Sequence, residues 1–247
     1  MNFPNTQLKA SIEHSSTGYN TDAFVAYASN AALTENVAVQ PDRAWRVKTE
    51  WKQNLGAAQL AAAYSHAYNG TVTEFGFADS GAQVPVTTSL DKRNEMNMSL
   101  SLPLEDVGLA NTSVSGDAVW RDSRVHDPVT GKFRRASGEV GNQVTLRLER
   151  KMPAESLRFG LTGQMSGGQT AYQTQEITMV DASNTLGAYI AFKPGAYEVN
   201  LDVDGLVGTP KTTNYFYVDS RAQNQLPKSN ILPASGPTFK ISLKRPF

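Results

Sequence analysis

The sequence predicts an all-β protein, an antiparallel up-and-down meander of about eleven long strands. Two observations carry that prediction. Apolar and polar residues alternate through most of the 247 residues with the two-residue period of a β-strand, and helical periodicity is nearly absent. Short connections rich in turn formers also alternate along the chain with long polar ones. An up-and-down meander with one short-loop rim and one long-loop rim produces that order, and a Greek-key sandwich has no reason to.

The strands are expected at 7-16, 21-32, 43-54, 58-75, 90-102, 110-124, 141-151, 157-167, 182-193, 196-207 and 237-247. In 45-53, Trp45, Val47, Thr49 and Trp51 alternate with Arg46, Lys48, Glu50 and Lys52. In 143-149, Val144, Leu146 and Leu148 alternate with Thr145, Arg147 and Glu149. Leu157, Phe159 and Leu161 alternate with Arg158, Gly160 and Thr162, and Tyr197, Val199, Leu201 and Val203 with Glu198, Asn200, Asp202 and Asp204. Met96, Met98, Leu100 and Leu102 likewise stand against Glu95, Asn97, Ser99 and Ser101. The tight connections are 16-20, 54-57, 103-111, 153-156 and 193-195, where Gly, Pro and Asn supply turn geometry. The long polar stretches are 33-43, 77-91, 125-141, 167-181 and 208-236.

One apolar face per strand fits either a half-buried soluble sheet or a transmembrane barrel with a wet lumen. Strand length, the asymmetry of the two rims and aromatics near strand ends favour the barrel. Those aromatics are Trp45, Trp51, Tyr64, Tyr68, Trp120, Phe159, Tyr189, Phe192, Tyr197, Phe239 and Phe247. A charge at the lipid midplane costs roughly 2–4 kcal/mol for Arg or Lys. The charged parity is therefore assigned to the lumen: Arg46, Lys48, Glu50, Asp117, Arg121, Arg147, Glu149, Arg158, Glu198, Asp202 and Asp204.

Composition excludes other classes. The 23 Lys+Arg balance 23 Asp+Glu, so no basic surplus exists to bind nucleic acid. Without Cys there is no disulfide framework, thiolate chemistry or cysteine zinc site. No apolar run approaches the roughly 18 residues of a spanning helix, and Met1 opens no signal-peptide pattern. The three histidines, His14, His66 and His126, lie far apart without metal-ligand spacing. No Gly-x-Ser-x-Gly elbow, calcium loop or cofactor motif is present, so neither cofactor nor enzymatic activity is expected. Asp117 and Arg121 share a strand side and, with Asp122, Arg124 and His126, read as a charge ladder on a wall. Lys132, Arg134 and Arg135 form a small basic loop patch, ordinarily a solvated one and otherwise an aid to binding anionic ligands.

The last eleven residues, 237-247, form an alternating strand that ends on a terminal Phe. They resemble the C-terminal strand of Gram-negative outer-membrane β-barrels, in which such a strand is read by the barrel-assembly machinery. Phe239, Ile241, Leu243 and Phe247 match that signal, and Arg245 departs from it. The run 214-222, the polar loop after it and the closing strand are similar to the last loop and strand of TonB-dependent receptors. That family's barrel has 22 strands around a plug. The resemblance implies an outer-membrane receptor for a small molecule such as a siderophore, cobalamin or carbohydrate. It also implies surrounding lipid and an energy-coupling partner reached through an N-terminal segment not in this chain.

An odd strand number, with 7-16 running toward the short-turn rim, reads as an open half of such a barrel. On this reading 1-247 is the C-terminal barrel portion, without plug or earlier strands. Two alternatives stay open. One is a complete small barrel acting as porin or membrane enzyme, with 7-16 bonded to 237-247. The other is a soluble β-sandwich, with Val144, Leu146, Leu148, Val199 and Leu201 sealed between two sheets.

Overall fold

The computed structural model describes residues 5–16, 40–195, 197–208, 210–223 and 226–245. Its strands are β1 (Thr6–Ser16), β2 (Arg43–Leu55), β3 (Ala58–Phe77), β4 (Gln83–Pro103), β5 (Thr112–His126), β6 (Phe133–Arg134), β7 (Asn142–Met152) and β8 (Leu157–Ser166). They continue with β9 (Gln169–Tyr172), β10 (Glu176–Val180), β11 (Ser183–Phe192), β12 (Glu198–Val207), β13 (Thr212–Phe216), β14 (Lys228–Leu232) and β15 (Thr238–Lys244). Eleven strands form one antiparallel sheet in the order β1-β2-β3-β4-β5-β7-β8-β11-β12-β15, with the short β6 beside β5. Among the described residues the sheet is open, with β1 and β15 at its two ends.

The expected meander is present, and two of its details differ. β1 pairs directly with β2, from Thr6 opposite Gln53 to Ser16 opposite Arg43. It therefore runs toward the long-connection rim, not toward the short-turn rim as the sequence suggested. The odd-count argument for a half barrel loses that premise. The strand expected at 21-32 and the turn at 16-20 lie largely or wholly outside the described residues.

Four tight connections share one rim. Gly56 (φ 61°) and Gly195 (φ 66°) take left-handed backbone, which glycine adopts without a Cβ penalty. Single 3-10 turns, Glu105–Val107 and Pro153–Glu155, make two others. The opposite rim carries the long connections, and part of what read as loop is strand. β4 begins at Gln83, and the stretches 167-181 and 208-236 contain β9, β10, β13 and β14. These four form a second antiparallel sheet, β14-β13-β10-β9, made from two excursions that are distant in the chain.

The exposure pattern inverts that of a soluble protein. Leu146 is 51% exposed, Leu148 42% and Ile241 76%, while the charged residues beside Trp45, Val47 and Trp51 on β2 are half-buried. In water, each fully exposed large apolar side chain would forgo roughly 1.5–3 kcal/mol of burial. A sandwich that seals Leu146, Leu148 and Leu201 inside is therefore excluded; all three lie open.

The described core sits at the long-connection rim. Ala44, Ala67, Leu90 and Val125 cluster there, with Val72 and Ala136 against them. β-Bulges mark the approach to it. The β2–β3 register shifts between Arg43 and Trp45, and the β4–β5 register between Leu90 and Lys92. Asn69 takes a positive φ of 48°, and a Cβ on Gly70 would lie 2.4 Å from the Arg43 carbonyl oxygen. The inserted residues switch which parity faces inward. Ala67 belongs to the charged-row parity of β3, and beyond the bulge Val72 of the opposite parity joins it.

Candidate functional site

The strand register brings all eleven predicted lumen residues to one face of the large sheet. Lys9 sits opposite Glu50, and Ser11 opposite Lys48, which continues through Ser65 and Glu95 to Arg121. Ser99 pairs with Asp117 and Ser115 with Arg147. Glu149, Gly160, Tyr189, Asp202 and Lys240 form one continuous row, Arg158 lies opposite Ala191, and Arg46, Glu198 and Asp204 have the same parity on their strands. The wall is laced by ion pairs, including Lys48–Glu50 at 2.6 Å, Arg121–Glu95 at 2.8 Å and Arg158–Glu198 at 3.7 Å. A concavity of about 370 Å³ is lined by Lys9, Glu50, Asn97 and Asp117 among others, with Ala61 and Ala63 in its lining.

Tyr189 corrects one detail of the aromatic assignment. It lies on the charged face, not in an outward belt, and its hydroxyl donates to Glu149 Oε2 across the intervening strand. Gly160 makes room for it: a Cβ there would stand 2.7 Å from the Tyr189 ring and 2.5 Å from the Leu148 carbonyl oxygen. Phe239, Ile241 and Leu243 lie on the opposite, apolar face of β15, while Phe247 is outside the described residues.

At the long-connection rim the structure assembles a buried ionic network that sequence spacing does not announce. Arg221 donates from both terminal nitrogens to Asp127, at 2.8 and 3.1 Å, and both side chains are 3% exposed. Arg134 donates to Glu74 at 2.9 Å and lies 3.2 Å from Asp127. Ser137 N–H completes Glu74 at 3.0 Å, and Val129 N–H and the Thr130 hydroxyl complete Asp127, each at 3.0 Å. Tyr172 supplies an aromatic face, 4.1 Å from the Arg134 guanidinium carbon and 5.3 Å from that of Arg221. Burial alone would raise the Asp127 carboxyl. The Arg221 hydrogen bond, the Val129 N–H and the neighbouring Arg134 charge outweigh it and hold the group well below the usual carboxylate range.

Two of the three cations of the basic loop patch are therefore engaged. Arg134 is spent on Glu74 and Asp127, and Arg135 reaches Asp122 at 3.8 Å and Glu139 at 4.0 Å. One network ties β3, the β5–β7 connection, β9 and the β12–β15 connection together. Asp127 and Arg221 are 94 residues apart, so no local motif could have revealed their pairing.

The histidines stay apart. His14 tilts against Trp45, His66 bonds Asn94 at 2.7 Å, and His126 meets the Phe133 ring edge-on. Among the described residues no group of three or more His, Asp or Glu side chains is placed to hold a metal ion.

No family model matches the chain, and no curated protein sequence does. A solved structure similar to it is the FrpB iron transporter from Neisseria meningitidis, F3-3 variant, with a TM-score of 0.59 at 14% identity. The match covers 98% of this chain and 36% of that one, so the chain spans about a third of the transporter's length. At this identity the likeness establishes a shared fold: the meander resembles about a third of that chain.

Proposed function

We propose that the chain is part of the barrel wall of an outer-membrane receptor of the TonB-dependent kind, importing a small molecule and performing no chemistry on it. The inverted exposure carries this reading. Apolar rows are stable when open to hydrocarbon, and charged rows are stable facing a wet lumen. Lipid wets the row of Leu146, Leu148, Ile190 and Leu201. The row of Arg46, Lys48, Glu50, Asp117, Arg121, Arg147, Glu149, Arg158, Glu198, Asp202 and Asp204 lines the passage.

In this reading the rest of the barrel, the plug and the energy-coupling segment belong to other parts of a longer protein. An unpaired strand edge in lipid leaves backbone groups unsatisfied at several kcal/mol each, so β1 and β15 are completed by further strands. The closing strand, with Phe239, Ile241, Leu243 and Phe247, serves as the assembly signal. The imported ligand is a siderophore, cobalamin or carbohydrate. The small-barrel alternative requires β1 to bond β15, and among the described residues that pairing is not made.

The test is fractionation with and without coding sequence upstream. The extended protein is expected in the outer membrane, resistant to urea extraction and dependent on an energised inner membrane for uptake. Recovery of the chain as a stable, water-soluble monomer would refute the reading.

A further inference from the structure

Lipid accounts for the apolar residues along the wall, but not for every exposed ring. Phe77 ends β3, roughly 30 Å along the strand beyond Tyr68 at about 3.3 Å per residue. Phe216 ends β13 in the second sheet. Both are exposed. They face a cleft of about 460 Å³ between the β3–β4 turn and the second sheet. That volume lies within the roughly 300–1,000 Å³ typical of small-ligand sites.

The lining selects a chemistry. Besides Phe77 and Phe216, it includes Tyr217, Gln173, Gln175 and Glu176. Among the described residues no Lys or Arg lines it. A cleft with one carboxylate and no cation repels anions, including negatively charged metal chelates. Aromatic faces accept flat apolar surface. Gln175 donates one N–H to the Asp219 carbonyl at 3.0 Å and Gln173 Oε1 accepts from Gln83 at 3.4 Å, and the remaining donor and acceptor positions of both amides suit hydroxyls. A sugar ring presents those two features together: C–H faces above and below, hydroxyls around the edge.

The frame is already fixed. Thr174, buried at the back, donates its N–H (2.9 Å) and its hydroxyl (2.7 Å) to Gln83 Oε1. Tyr217 N–H bonds the Gln175 carbonyl at 2.8 Å. Behind this frame Arg221 N–H holds the Thr174 carbonyl at 3.1 Å, so the ionic network braces the cleft. Little ordering is left for a ligand to impose.

We propose that this cleft is a binding site for a neutral saccharide at the outermost rim, separate from the charged inner wall. The proposal rests on the rim standing in water beyond the bilayer, as the receptor reading places it. The test is saturation-transfer NMR on the full chain in lipid vesicles, with maltotriose, cellotriose and chitotriose as probes and ferric citrate as the anionic comparison. At least one saccharide is expected to bind saturably. Phe77→Ala and Phe216→Ala should each weaken it tenfold or more and Gln175→Ala severalfold, while Lys9→Ala leaves it unchanged. Protease resistance of 169-232 reports that each variant keeps the second sheet. The proposal is overturned if none of the three saccharides binds while that sheet is intact. It is overturned equally if binding survives both Phe variants, or if ferric citrate binds saturably and is lost in them. Membrane insertion is scored separately by urea extraction, so failure of the cleft and failure of the receptor reading give different results.

Discussion

The wall and the rim are built from the same strands under opposite rules. Along the wall, apolar side chains lie open and charges are half-buried in loose ion pairs, each worth about 0–1 kcal/mol. At the rim, Val125 is fully buried, and Asp127, Glu74 and Arg221 are sealed in with their partners. A sequence rule that reads burial from hydrophobicity holds at the rim for Leu90 and Val125, fails there for the paired Glu74, Asp127 and Arg221, and fails on the wall for the apolar rows. The difference teaches that the solvent outside, more than the strand pattern, decides which row a side chain joins.

The sharpest way to break the contrast is Asp127→Ala. It leaves the Arg221 and Arg134 guanidiniums buried without their shared carboxylate, and breaking such a pair costs about 3–5 kcal/mol. Protease cleavage within 212-232 should become rapid, while cleavage in the wall stays slow. If both regions open together, the rim is not a separate folding unit. The second largest effect is expected from Leu148→Arg, at about 2–4 kcal/mol in lipid vesicles by urea titration. Thr145→Arg on the opposite face of the same strand should cost little. Equal losses would show that both faces meet the same solvent.

Acid should separate the regions in the same sense. Because Asp127 is held below its ordinary value, its contribution is complete above the unfolded value of about 4. It declines progressively below that value and is gone once pH has fallen through the lowered folded value. Hydrogen-exchange protection of 212-232 should hold from neutral pH to about pH 5 and fall progressively below about pH 4, and Asp127→Ala should remove that fall. A smaller loss is expected from Tyr172→Leu, which removes the ring beneath two guanidiniums at about 0.5–2 kcal/mol. Lys9→Ala, on a 3.8 Å pair largely open to solvent, should fall within about 0–1 kcal/mol.

The wall was legible in the sequence because its information is local. Period-two alternation in 45-53, 143-149 and 196-205 places each side chain on a face without knowledge of its neighbours. The rim was not, because its partners are remote. By spacing alone Arg134 is one of three residues of a basic patch; only the fold brings Glu74, 60 residues earlier, beside it. The strands of the second sheet, of four or five residues each, carry too few alternations to stand out from loop in the sequence. The direction of β1 failed for a related reason: its hydrogen-bonding neighbour is β2, across a long intervening segment.

The bulges at Asn69–Gly70 and Asp91 act as a printed waterline on the strands that cross it. Below the mark one parity stands open; above it the parities trade places, so Glu74 turns in toward the cations that neutralise it. Excising one residue at each mark would leave the composition almost untouched and the hydrogen-bonded ladder smoother. The upper third of the hairpin would then be inside out.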